Sequence, residues 1–146
     1  MKQILVAALL ALLSLSMAMG VQAKQAKQTV AAALHPVGGS GVSGVVFLKQ
    51  RPNRMGTEIK VLAMGLTPGH RYRSLYYGNA TCQIEPYSSS DVIGGDYVAT
   101  PQGRGHTQGK ADDNLDAINS VSVRDASQPF SPSSPGKLLA CAQVMH

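Results

Sequence analysis

Tryptophan is absent from this chain of 146 residues, and aromatic residues make up only 5% of it. Its core therefore rests on aliphatic side chains and a few tyrosines. Charge is scarce too, at 14% of residues, with a net of +5 and no basic stretch. So little capacity to neutralise phosphates excludes nucleic acid as a partner. Heptads and internal repeats are missing, which excludes coiled coils and solenoids. No G-x-S-x-G elbow occurs, and no other nucleophile constellation replaces it. There are only two cysteines. The chain does have turns, marked by 15 glycines and 8 prolines, and its length fits one ordinary domain.

The long apolar run lies at the N-terminus. Met1-Lys2-Gln3 carries one positive charge, residues 4–13 are apolar, and Val21-Gln22-Ala23 offers small residues at a peptidase site. That order reads as a secretory signal over residues 1–23. Cleavage is expected after Ala23, with Gly20 as the second site. The apolar stretch is short for the roughly 20 residues of a spanning helix, and no cysteine beside the site offers a lipid anchor. No second apolar run follows, so no stable membrane insertion is expected after cleavage. The expected location is periplasmic or extracellular. Residues 24–28 read as a disordered N-terminal segment, and residues 29–146 as a single domain. Without the signal, 12 basic and 8 acidic residues remain.

Export decides how the cysteines read. In an oxidising compartment, Cys82 and Cys141 are expected to form one disulfide. Such a bridge closes a loop of about 60 residues, worth roughly 4 kcal/mol on the chain-entropy account. Metal binding is the alternative, but two ligands make a poor site.

Hydrophobic alternation marks short strands. Residues 44–50, 58–63, 70–77, 96–100, 106–111, 117–125 and 137–144 read as strands separated by Gly, Pro, Ser and Asp clusters. Residues 29–34 are alanine-rich and fit strand or helix. Leu66, after the Ile59, Val61, Ala63 face, reads as a plug. No amphipathic helix emerges. About eight short strands with regular turns imply an all-β antiparallel Greek-key sandwich or flattened barrel.

Four stretches, in order, carry a resemblance. GVVFLKQ (44–50) is similar to a G-x-I-x-F-x-Q strand. IKVLAMGLTPG (59–69) is similar to a strand ending in a G-L-x-P-G turn. YRSLYYGNATC (72–82) is similar to F-H-x-H-E-x-G-D leading to a cysteine. VSVRD (121–125), followed by GKLLACAQV (136–144), is similar to V-V-H-E and then G-R-L-A-C-G with a second cysteine. Together they resemble the copper/zinc superoxide dismutase fold family over the whole of residues 29–144.

The same resemblance places the family's copper ligands on other residues. Arg73 and Leu75 stand where it implies two histidines on one strand face, and Arg124 stands where it implies a third. A guanidinium has no lone pair for copper. The zinc loop should follow Cys82, but residues 83–95 contain no histidine. The family's guiding arginine falls on Leu138, beside Lys137. The resemblance thus implies a degenerate member, a pseudoenzyme without cofactor that works by binding or interaction. The alternative is a metal-dependent dismutase with a rebuilt copper/zinc site.

Other metal constellations are weak. His35, His70, His106 and His146 share no H-x-H or H-x-x-x-H spacing. Met55, Met64 and Met145 do not cluster. Asp112, Asp113 and Asp116 lack a calcium-loop pattern. Asn79-Ala80-Thr81 is a glycosylation sequon that matters only in a eukaryotic secretory pathway. The candidate site is instead Arg71, Arg73 and Arg124, with Tyr72 beside them and Tyr76, Tyr77 and Tyr87 nearby in sequence. If the resemblance holds, Arg73 and Arg124 are spatial neighbours. Paired guanidiniums bind carboxylate or phosphate, so an anionic ligand or acidic protein partner is expected unless Asp96, Asp125 or Glu85 satisfies them internally.

Overall fold

The computed structural model describes residues 28–86 and 91–146. The signal and most of the N-terminal segment lie outside the described residues, as does Tyr87. Among the described residues, eight strands form the domain: β1 (Thr29–Pro36), β2 (Ser43–Gln50), β3 (Thr57–Met64), β4 (Arg71–Tyr77), β5 (Tyr97–Val98), β6 (Arg104–Ala111), β7 (Ser120–Asp125) and β8 (Leu138–Gln143). The spatial order is β5-β4-β7-β8-β1-β2-β3-β6, and every pairing is antiparallel. Consecutive strands β3 and β4 lie in different halves of the sheet, as do β6 and β7, so both connections cross the barrel end as in a Greek key.

The sheet curls until its two edges meet. Thr100 N–H, just past β5, donates to Arg104 C=O at the start of β6 at 2.8 Å. The result is a nearly closed, flattened barrel, the class expected from the strand pattern. Residues 29–34, ambiguous by composition, are strand, because β2 pairs with them residue for residue from Thr29↔Lys49 to Leu34↔Gly44. Alternation sends Leu34, Val46, Leu48, Ile59, Val61, Val121 and Val123 inward, with Leu66 buried at one end. The late strand starts at Ser120 rather than near residue 117, because Leu115–Ala117 forms a 3-10 turn with Leu115 buried in the core.

Gly44 has φ +151, and a Cβ there would collide with the Leu62 carbonyl. Only glycine lets β2 and β3 come this close.

A second, smaller core lies outside the barrel. Strand β4 is buried from Tyr72 through Tyr77, and β7 from Ser120 through Arg124. Tyr72, Ser74 and Tyr76 face inward. Arg73, Leu75 and Tyr77 face outward and are buried nonetheless, because residues 78–86, 91–96 and 126–137 cover that face. Leu75, Tyr77 and Cys82 pack there against Val92, Phe130, Leu138 and Cys141. Cys82 and Cys141 are disulfide-bonded at a Cα separation of 6.0 Å and a sequence separation of 59.

Candidate functional site

Arg73 and Arg124 are register partners across β4 and β7. Both side chains project outward beneath the covering loops, and the two residues are 1% and 4% exposed. Two buried guanidiniums this close repel strongly unless acceptors surround them.

Arg73 has a carboxylate partner. Its Nε and Nη2 donate to the two oxygens of Asp96, each at 3.0 Å. This is the planar, two-pronged geometry that makes an arginine–carboxylate pair strong. Nη2 also donates to Gln128 C=O at 2.9 Å, and Nη1 reaches Pro135 C=O at 3.5 Å. The Phe130 ring lies 5.6 Å from the guanidinium carbon.

Arg124 is held by neutral groups. Its Nε donates to the Tyr77 hydroxyl at 2.8 Å, Nη1 to Gly136 C=O at 2.7 Å and Nη2 to Cys82 C=O at 3.0 Å. The Tyr77 hydroxyl also hydrogen-bonds Ser122 Oγ at 2.6 Å. Gly136 presents its carbonyl from a left-handed conformation, φ +103, where a Cβ would collide with the Asp125 carbonyl. Arg124 therefore ties the disulfide loop and the loop before β8 to the barrel wall. Arg73 ties down the far side of that same second loop.

The other named residues lie elsewhere. Arg71 is exposed at the start of β4. Tyr72 is on the inward face, separated from the arginine pair by the pleat, and its hydroxyl accepts from Thr67 N–H at 2.9 Å. Of the three acids proposed as internal partners, Asp96 pairs with Arg73. Asp125 instead accepts from Ser127 N–H at 2.8 Å, and the Ser127 hydroxyl first and this N–H second hold its carboxyl below the usual range. Glu85 accepts from Gly78 N–H and the Asn79 amide at 3.0 and 2.9 Å. Asn79 is thereby fastened by its own side chain.

Tyr77, named near the arginines from the sequence, does join them, as its place at period two after Arg73 and Leu75 requires. Phe130 and the carbonyls of Cys82, Gln128 and Gly136 were not legible as site components. The carbonyls had no signal, since any residue supplies one.

Copper and zinc require clustered imidazole, thiolate or carboxylate donors. Arg73, Leu75 and Arg124 offer no such donor. The two thiols are joined in the disulfide. Among the described residues, no three His, Cys, Asp or Glu side chains form a group able to hold a metal ion. His35 is on β1 and His106 on β6, and the His146 ring bonds Ile118 C=O at 3.1 Å. Among the described residues, the side chains at these positions do not fit either ion.

The barrel, its crossing connections and a disulfide loop pinned to the last strand define a superoxide dismutase-like fold. Among solved structures, the copper/zinc superoxide dismutase from Brucella abortus is similar to this chain with a TM-score of 0.54, at 16% identity. The match covers 81% of this chain and 100% of that one. At that identity the likeness is one of fold. No family model matches the chain, and no curated protein matches it.

Proposed function

We propose that this chain is an exported, non-catalytic domain on the superoxide dismutase fold, kept as a binding or interaction module. One observation carries the reading. The positions that the resemblance assigns to copper hold Arg73, Leu75 and Arg124, and both arginines spend their hydrogen bonds on Asp96, Tyr77 and loop carbonyls. The cation that organises the loops is then built from side chains, and no redox centre is required for folding. The Cys82–Cys141 disulfide supports export, because such bonds persist in oxidising compartments. With the arginine pair occupied internally, an anionic ligand there would have to displace Asp96, so partner binding belongs to another surface.

Superoxide dismutation by the mature, disulfide-bonded protein, after incubation with copper and zinc, tests this reading. The expected rate equals that of the buffer with the same free ions removed. Metal-dependent dismutation that survives desalting would contradict it.

A further inference from the structure

The outer face of β1, β2, β3 and β6 is a second feature with its own chemistry. Register arranges it in rows. Thr29, Lys49, Glu58 and Lys110 form the first row, Ala31, Phe47, Lys60 and Gln108 the second, and Ala33, Val45, Leu62 and His106 the third. Ser43, Met64 and Arg104 complete it. Every one of these side chains points away from the core, by the alternation that sends Val46, Leu48, Ile59 and Val61 inward. Phe47 is 39% exposed and Met64 50% exposed. With Val45, Leu62 and the two alanines they form one contiguous apolar field, and cations line the β3–β6 side.

The charge is unevenly divided. This face carries Lys49, Lys60, Arg104 and Lys110 and one acid, Glu58, a net of three positive charges. The other described residues carry six lysines and arginines and seven aspartates and glutamates. All of the net positive charge of the described domain therefore sits on this one wall. Gln108 also donates its amide to Glu58, which occupies the lone carboxylate.

We infer that this wall is the docking surface for an acidic protein partner that carries apolar anchor side chains. The inference rests on reading the chain as an interaction module. An apolar centre with charged residues beside it is the anatomy of a protein–protein interface, and its sign selects an acidic partner and speeds the encounter. A second copy is disfavoured, because two such faces repel. A bilayer is disfavoured by relief. Ala31 and Ala33 rise only a methyl above the sheet beside Phe47, whereas the lysines and Arg104 are long. A plane meets the cations and leaves the alanine shelf empty, but a partner's bulky side chains fill it. The partner reads side chains, because β2 and β3 are paired on both edges.

A photo-crosslinking experiment tests the inference. The probe is p-benzoylphenylalanine in place of Phe47, in the mature protein within the cells that export it. The control places it at Val98, which is 56% exposed on β5 in the other half of the barrel. One dominant protein adduct is expected at position 47 and none at 98. The crosslinked segment, read by mass spectrometry, should carry net negative charge. The double substitution Lys60→Glu and Arg104→Glu, both at exposed positions, should cut the adduct at least tenfold while the disulfide and thermal transition persist. Absence of an adduct, an adduct to lipid or to a second copy, or an adduct untouched by the charge reversal would each overturn the docking surface. Dismutase activity is a separate readout: finding it would overturn the non-catalytic reading whatever the crosslink shows.

Discussion

Arg73 is a buried cation whose stability depends on keeping every partner. Removing one side of such a pair leaves the other charge or its loop carbonyls stranded, which costs about 3–5 kcal/mol, whereas replacing the whole pair with apolar groups is often tolerated. Asp96→Asn should therefore lower the urea midpoint by an amount equivalent to about 3 kcal/mol. Arg73→Met combined with Asp96→Leu should cost less than the sum of the two single substitutions, because each single change strands the other partner. Strict additivity of the two sites in a double-mutant cycle would contradict the pairing. Tyr97 supplies a second test. Burial pushes its hydroxyl up to about 12, against the pull of the Ser74 hydrogen bond, and the ordinary value is 10.0. A group whose folded pKa is raised contributes stability that is intact below the unfolded value and lost as pH climbs to the folded one. Tyr76 is raised in the same sense, by burial first and Asp91 next. The melting temperature should hold to about pH 9.5 and fall between about 10 and 12. Tyr97→Phe should melt lower at neutral pH, because Ser74 loses its partner, yet fall less steeply in alkali.

At the scale of elements, most strands were readable because they alternate or carry β-branched runs between Gly and Pro breakers, whereas alanine-rich β1 is fixed as a strand only by its pairing with β2. Period two also placed Tyr72 and Ser74 on one face of β4 and Arg73 and Leu75 on the other. Alternation tells which face a residue occupies, but not what covers that face. Arg73, Leu75 and Tyr77 are buried outside the barrel because residues 91–96 and 126–137 lie over them. Those loops are rich in Gly, Ser and Pro, with no period to read. Grouping Tyr72 with the arginines followed nearness in sequence, and the pleat separates them. The loops are held by the Cys82–Cys141 bond and by the two arginines together. Reduction should cost roughly 4 kcal/mol by loop entropy. Arg124 loses the ordered Cys82 carbonyl when that loop loosens, so reduction and Arg124→Ala should be less than additive in the denaturation midpoint. Full additivity would mean that the two ties act independently.

At the scale of the molecule, the superoxide dismutase-like barrel carries a hydrogen-bonded arginine pair on the outer face of β4 and β7, and concentrates the net positive charge of its described residues on the wall of β1, β2, β3 and β6. The overall fold was accessible from strand order, turn residues and the two cysteines together, although no single stretch would have carried it. The charged wall was not, because its fifteen-position pattern exists only once register sets β1, β2, β3 and β6 side by side. On the proposed reading, side chains do the organising that a metal does in a dismutase. That reading is tested most directly by elemental analysis of the protein gently purified from its native compartment. Copper and zinc are each expected far below one ion per chain, with the disulfide formed and the thermal transition unchanged by a strong chelator. Near one copper per chain, with a melting temperature that falls when the chelator removes it, would contradict that reading.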